Sequence, residues 1–375
     1  MSSGSGKMPL FVPVNLPEME KAALDVIRSG QIAAGPLVEQ FERELSQLVK
    51  KDHIVLTNDM TSALILALKL SGVQPGDKVA TQAFSCLSTN SAIAIVGAEP
   101  VWIDINPKIL SMCPEDLGRK MSPDIKAVLL YHIAGYPAET AKISSICRTN
   151  SIKLIEDCNN ALGALTGGSP VGQMGDFSVY SFYPNRQVNG FEGGAVVCPD
   201  DANENRAKKL RRFGVDYKNF RDHRGEIDPG CDVPEIGISA SFSQLNAAVS
   251  LAQLPTLAAR QAQTLRNAER LRAGLVNIKG INLIATDKDK LPAYWVFLIY
   301  AEQRDQLLET LKRNNINASI LHQRNDVYTG FSPVQAQLDG TEYIMGHIMA
   351  IPCGWWLGEE NIDAIANTIA EFYTD

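Results

Sequence analysis

Residues 179–197, VYSFYPNRQVNGFEGGAVV, read as an apolar strand, a polar turn carrying Arg186, and a glycine-marked return into a second apolar run. This layout holds one side chain at a strand end, in the crevice where open α/β sheets bind ligands. Arginine cannot form an imine there, and with a pKa above about 12 it is a poor general base. Its planar fork suits phosphate or carboxylate. Asp157 closes the apolar run IKLIED (152–157). It either caps a following helix or faces a protonated heterocycle, such as a pyridinium nitrogen, and keeps it cationic. Thr61 and Ser62 open the helical run 61–72, where hydroxyls and free amides either cap the helix or receive a phosphate. His132, in YHIAGYP, reads as a structural histidine ahead of a functional one.

Strands and helices must carry these side chains. Short β-rich runs at 53–58, 78–84, 100–105, 127–133, 152–157, 177–183 and 194–198 are mostly separated by helical stretches such as 61–72 and 138–150. Such alternation implies right-handed crossovers and a mainly parallel sheet covered on both faces. Two amphipathic helices precede it, 17–30 with Gly30 as C-cap and 38–51. From residue 241 a long helical stretch follows, which Pro255 is expected to kink or divide. The runs 293–301, 304–315, 316–321 and 360–373 then suggest a small α/β domain. The expected units are an N-terminal arm and helix (1–30), a large domain (31–240), and a linking helix with a small C-terminal domain (241–375).

Composition excludes several classes. A 375-residue chain of 40.9 kDa exceeds one simple core, so two domains are the prior. The net charge of −7 and pI near 5.4 come with no basic stripe, which argues against nucleic acid. The run KKLRR (208–212) reads as a solvated helix face. Seven scattered cysteines form no C-x-x-C pair, so neither a disulfide framework, a zinc ribbon nor another metal site is expected. Reduced thiols fit the cytoplasm, and no apolar run reaches a membrane span. The opening MSSGSGK reads as an appended polar tag, with Met8 the natural start.

In order, these segments resemble one family. The blocks QPGDKVATQAFSCLSTNSAIAIVGAEPVWIDI (74–105), VLLYHIAGYPAE, LIEDCNNALGA, VGQMGDFSVYSFYP, FEGGAVV, LRRFGVDYKNFRD (210–222), LHQRNDVYTGF (321–331) and AIPCGWWL resemble the DegT/DnrJ/StrS sugar aminotransferases. The likeness runs through nearly the whole chain from Phe11. It implies the aspartate-aminotransferase fold (type I), with a mainly parallel seven-stranded sheet and a small C-terminal α/β domain. It also implies pyridoxal or pyridoxamine phosphate as cofactor, a nucleotide-linked keto sugar of polysaccharide biosynthesis as substrate, and a homodimer whose sites lie where subunits meet. Asp157 would pair with the pyridine nitrogen, and Asn160 stands near the ring hydroxyl, where the family has glutamine. Thr61, Ser62 and Ser181 would hold the cofactor phosphate. His322, Arg324 and Asn325 would approach the substrate.

The chain departs from the family at the centre of the site. The imine-forming lysine falls on Arg186, and no lysine occurs between Lys153 and Lys208. The glycine before the phosphate-binding threonine falls on Met60. The asparagine that reaches the partner's phosphate falls on Ser239, and a nearby arginine falls on Ser241. Any cofactor is therefore expected to be held without a covalent bond. Three readings stay open: an active family member using an unusual or pyridoxamine-phosphate route, a non-catalytic paralogue that binds a nucleotide sugar or partners an active subunit, and a lysine-to-arginine variant of an ordinary transaminase. The apolar arm PLFVPVNLP and the exposed aromatics of CGWWL are consistent with contacts buried in a dimer.

Overall fold

The computed structural model describes residues 6–331 and 337–374. Helices α1 (Pro17–Ser29) and α2 (Pro36–Val49) each begin on proline, whose fixed φ and missing N–H suit a first turn. Gly30 ends α1 with φ 71°, its N–H donating to the Ile27 carbonyl. Then come β1 (Ile54–Thr57), α3 (Met60–Leu70), β2 (Lys78–Gln82), α4 (Leu87–Ile95), β3 (Glu99–Ile103) and α5 (Pro114–Lys120). They are followed by β4 (Ile125–Tyr131), α6 (Thr140–Thr149), β5 (Lys153–Asp157), β6 (Phe177–Ser181) and β7 (Gly194–Val197).

These strands form one seven-stranded sheet in the order β1-β7-β6-β5-β4-β2-β3. Only β7 runs antiparallel to its neighbours; the pairs from β6 to β3 are parallel. The strands lie within two residues of the seven β-rich runs. Their continuous apolar character follows from cover on both faces. Val55, Val79, Leu129, Ile155, Val179 and Val196 share one core with α3, α4 and the helix at 201–210, while Leu56, Tyr180 and Ala195 share another with α2 and the helix at 244–275. The parallel strands therefore deliver their carboxyl ends to one edge, where the site lies.

The rest of the chain comprises α7 (Asp201–Leu210), α8 (Gln244–Leu275), α9 (Arg304–Arg313), α10 (Asp339–His347) and α11 (Glu359–Phe372), with β8 (Ile281–Leu283), β9 (Phe297–Ala301) and β10 (Ile348–Ile351). The last three strands form an antiparallel sheet in that order. The expected division at Pro255 is corrected here. Pro255 lies inside α8, yet the helix runs unbroken for 32 residues. Ala247 and Leu257 anchor one end in the large-sheet core, and Ala268, Leu271 and Leu275 anchor the other against the small sheet. Packing on both sides outweighs the hydrogen bond that proline removes.

The N-terminal arm and the half-buried Trp355–Trp356 pair pack on each other. Leu10 and Val14 are buried, Phe11 stacks on Trp295 with ring centroids 4.5 Å apart, and Trp356 Nε1 donates to the Pro9 carbonyl at 3.2 Å. The arm and the tryptophan segment cover each other within one chain. Among the described residues, no helix is long and apolar enough to cross a membrane.

Candidate functional site

Asp157 is the last residue of β5 and is fully buried. Its Oδ2 accepts from Thr89 Oγ1 of α4 at 2.6 Å, and its Oδ1 accepts from the Asn159 amide and Nδ2, each at 3.0 Å. The capping alternative therefore does not hold, since no helix begins here. Burial pushes the Asp157 carboxyl up, and these donors pull it back. Three donors leave one acceptor position open on Oδ2.

Around this carboxylate the chain gathers side chains from distant positions. Tyr131 ends β4 and donates to Asn160 Oδ1 at 2.7 Å. With that proton committed, the 3.2 Å contact between Tyr131 Oη and His322 Nε2 has the imidazole N–H as donor. Cys86 Sγ lies 3.7 Å from the same nitrogen. Burial, followed by the charge of Arg186, pushes His322 down to about 4, so the ring is neutral at pH 7. Asn159 Oδ1, Asn160 Nδ2 and Ser85 Oγ are buried without a partner.

Arg186 stands in the turn after β6. Its guanidinium carbon is 5.0 Å from the Trp295 ring centroid and 5.8 Å from that of Tyr183. It donates to Asn185 Oδ1, while its Nε is buried and unpartnered. The turn is held by Arg186 N to Tyr183 O at 2.9 Å, Gly190 N to Phe182 O at 2.8 Å and Trp295 Nε1 to Asn185 O at 2.8 Å. Burial lowers the guanidinium pKa, and the fields of Cys86, Tyr131 and Asp157 oppose that. Arg186 thus sits within electrostatic reach of the buried group but in ion-pair contact with no carboxylate among the described residues.

The start of α3 carries a feature that the Thr61–Ser62 reading did not include. Asp59 is the N-cap: its Oδ1 accepts from the Ser62 amide at 2.8 Å and its Oδ2 from Ser62 Oγ at 2.9 Å. The helix N-terminus already holds an anion, supplied by the chain itself. Glu192 lies near enough that burial, then Asp59, raises its carboxyl while Arg186 lowers it. Ser181 Oγ accepts from the Tyr183 amide at 3.3 Å and so helps to shape the Arg186 turn. Ser239 is exposed and bridges Arg212 through its backbone.

Of the segment 322–325, only His322 reaches the Asp157 group. Arg324 makes a fork onto Asp326, at 2.7 and 2.6 Å, and reaches Glu342 at 2.8 Å. Asn325 Nδ2 donates to the Ser85 carbonyl and its Oδ1 accepts from Asn90 Nδ2 at 3.0 Å. These two residues pin the segment to the end of β2 and to α4, which fixes His322. His132 is structural: its Nδ1 accepts from the Ala138 amide and its Nε2 donates to Glu156 at 3.0 Å. Sequence reading missed Asp59, Cys86, Thr89 and Tyr131. Asp59, three residues before Ser62, carried a legible N-cap signal.

These residues give a divided answer to whether pyridoxal phosphate fits. The ring end is compatible, because Asp157 keeps an acceptor position and Asn159 and Asn160 hold unpaired polar atoms. The other two requirements fail. Arg186 cannot form an imine, and a phosphate at the start of α3 would meet the Asp59 carboxylate already bonded to both donors of Ser62. The set does not fit a covalently held, phosphate-anchored cofactor.

Residues 15–370 match the model of the DegT/DnrJ/EryC1/StrS aminotransferase family. A pleiotropic regulatory protein of Geobacillus stearothermophilus is 26% identical over 365 residues, covering 95% of each chain. The dTDP-3-amino-3,4,6-trideoxy-alpha-D-glucose transaminase of Streptomyces venezuelae is 26% identical, covering 90% of this chain and 87% of the relative. Among solved structures, the sugar aminotransferase CalS13 of Micromonospora echinospora superposes with a TM-score of 0.92 at 27% identity, covering 97% of this chain and 99% of the other.

Proposed function

Because the chain belongs to the DegT/DnrJ/EryC1/StrS aminotransferase family, whose members depend on pyridoxal or pyridoxamine phosphate, we propose that it binds a nucleotide-linked sugar but does not perform ordinary transamination. The observation that carries this reading is that Arg186 and Asp59 stand at two separate places of the site at once. An arginine stands at the turn where the resemblance sets the imine lysine, and a carboxylate fills the helix start where it sets the cofactor phosphate. Each substitution removes a separate requirement of covalent cofactor chemistry. A single inactivating change would leave the phosphate cup intact; here both have changed.

Within this reading, Asp157 and Asn160 face any ring that enters, without a covalent bond to the chain. Thr61, Ser62 and Ser181 serve the local backbone more than a phosphate. His322 presents a neutral imidazole to the same space, where it donates one hydrogen bond and carries no charge at pH 7. Arg186 supplies the fixed positive charge that draws an anionic ligand. Two copies of the chain are proposed to pair as a homodimer, acting in the cytoplasm beside enzymes of sugar biosynthesis.

Two measurements on the full chain test this together. Calorimetric titration with a thymidine-diphosphate-linked keto sugar should register binding. Incubation of the same mixture with pyridoxal phosphate and an amino donor such as glutamate should yield no amino sugar by mass spectrometry. Stoichiometric amino-sugar formation would overturn the reading.

A further inference from the structure

Between β6 and β7 the stretch 182–193 contains no helix or strand, so its path depends on side chains from elsewhere. Alternate carbonyls of its central part are each held by a different donor. Trp295 Nε1 donates to Asn185 O at 2.8 Å, Arg260 Nη1 to Gln187 O at 2.7 Å, and Gln253 Nε2 to Asn189 O. Gln253 Oε1 also accepts from the Asn189 amide at 3.0 Å, so one α8 side chain holds both backbone polar groups of that residue. Gln187 Nε2 donates to the Asn160 carbonyl at 2.8 Å, which ties the turn to the loop after Asp157. Arg186, half-buried, stands in the middle of this held stretch.

Arg260 is an unusual residue to find here. It is buried, no carboxylate pairs with it among the described residues, and burial pushes it down to about 10. Its remaining bonds go to Thr256 Oγ1 and the Gln253 carbonyl at 3.1 and 3.3 Å, both on α8 beside Pro255. A buried guanidinium costs free energy that neutral acceptors only partly return, whereas an apolar side chain would fill the same space without that cost. What the apolar side chain could not do is bridge α8 to the Gln187 carbonyl. Gln253 is fully buried and its amide is divided in the same way, between Val249 O of α8 at 2.8 Å and the backbone of Asn189.

We propose that Arg260 and Gln253 are positioning residues that set the Arg186 turn from α8, and through it the place of the Arg186 charge at the site. Each acts through the peptide units that follow Arg186, without contact to a ligand. The fork of arginine suits this task, because fixed N–H directions hold the Gln187 carbonyl and the α8 acceptors at once, which a lysine ammonium does less well. The far end of α8 packs Ala268, Leu271 and Leu275 against the small sheet, so the helix that joins the two cores also fixes this charge. The inference rests on the reading above, in which Arg186 draws an anionic ligand, and names the residues that hold it in place.

Hydrogen exchange of the full chain, read by mass spectrometry, tests the positioning without any ligand. Arg260→Met and Gln253→Leu should each speed exchange of the 183–190 peptide by about tenfold, while peptides of β5 and β6 keep their wild-type rates. Gln261→Leu is the control: Gln261 follows Arg260 in α8 but donates to the Leu162 carbonyl at 3.1 Å, outside the turn, so 183–190 should stay unchanged. Calorimetric titration with a thymidine-diphosphate-linked keto sugar then separates positioning from direct contact. Arg260→Met should weaken binding about as much as Arg186→Gln, and the double variant no further, because one residue acts through the other. Circular dichroism establishes that each variant is folded; if Arg260→Met is not, Gln253→Leu and Arg260→Lys carry the test. Wild-type exchange across 183–190 in the folded variants would overturn the inference, and so would additive losses of affinity in the double variant. A wild-type chain that binds no sugar nucleotide would overturn the nucleotide-sugar reading, and the exchange rates would still decide whether α8 sets the turn.

Discussion

Arg186 and Asp59 act in the same sense although they belong to different elements. In the proposed reading one stands in place of the imine-forming amine, and the other occupies the helix N-terminus with a carboxylate bonded to both Ser62 donors. Restoring the amine alone is therefore expected to achieve little. Arg186→Lys should show at most weak imine absorbance with pyridoxal phosphate, and adding Asp59→Asn should strengthen cofactor binding in the same titration. A yellow, fully active transaminase from Arg186→Lys alone would contradict this account. His322 offers a separate test through pH. Its folded value lies near 4, below the ordinary value of 6.5, because burial and Arg186 disfavour its charge. Between those values the unfolded chain binds a proton that the folded chain does not, so stability falls as pH drops through that window. His322→Gln should flatten the slope of unfolding free energy against pH there, measured by urea titration; an unchanged slope would place the acid sensitivity elsewhere.

At the scale of elements, α3 joins the core to the site. It is buried on nearly all sides, with Leu64, Leu66 and Leu68 fully enclosed, while its first turn depends on the Asp59 cap. Leu68→Ala should cost about 2–5 kcal/mol and Asp59→Ala about 1 kcal/mol, both read from denaturant midpoints. These elements were legible in the sequence because apolar runs with strand and helix periods alternate without ambiguity from residue 53 to residue 198. The strand order was not read from the sequence, since right-handed crossovers limit the topologies without fixing one. The helix across Pro255 was not legible, because its continuity depends on cores at both ends that no local signal announces. The Cys86–Tyr131–His322 group was equally hidden. Tyr131 and His322 meet across 191 residues and Cys86 and His322 across 236, and no spacing rule connects such positions. The Asp59 cap was readable, but the neighbouring hydroxyls of Thr61 and Ser62 drew the reading toward a phosphate.

For the whole molecule, the arm and the tryptophan segment pack on each other while Trp355 and Trp356 stay half-buried. Exposed apolar side chains lie elsewhere, including Phe191, Phe213, Tyr217, Ile227 and Ile236, which follow the Arg186 turn in the chain. Such side chains suit an interface between copies. Sedimentation at micromolar concentration should give twice the 40.9 kDa chain mass, and a monomer there would confine the site to one chain. In the proposed reading the family fold surrounds a site that does not carry covalent cofactor chemistry. The most direct measurement is the absorbance spectrum of the full chain mixed with pyridoxal phosphate, followed by borohydride reduction and peptide mass spectrometry. The account predicts a colourless purified protein, a spectrum equal to the sum of its components, and no reduced adduct on the peptide containing Arg186. A yellow protein that yields a stoichiometric adduct on a single lysine elsewhere in the chain would contradict it.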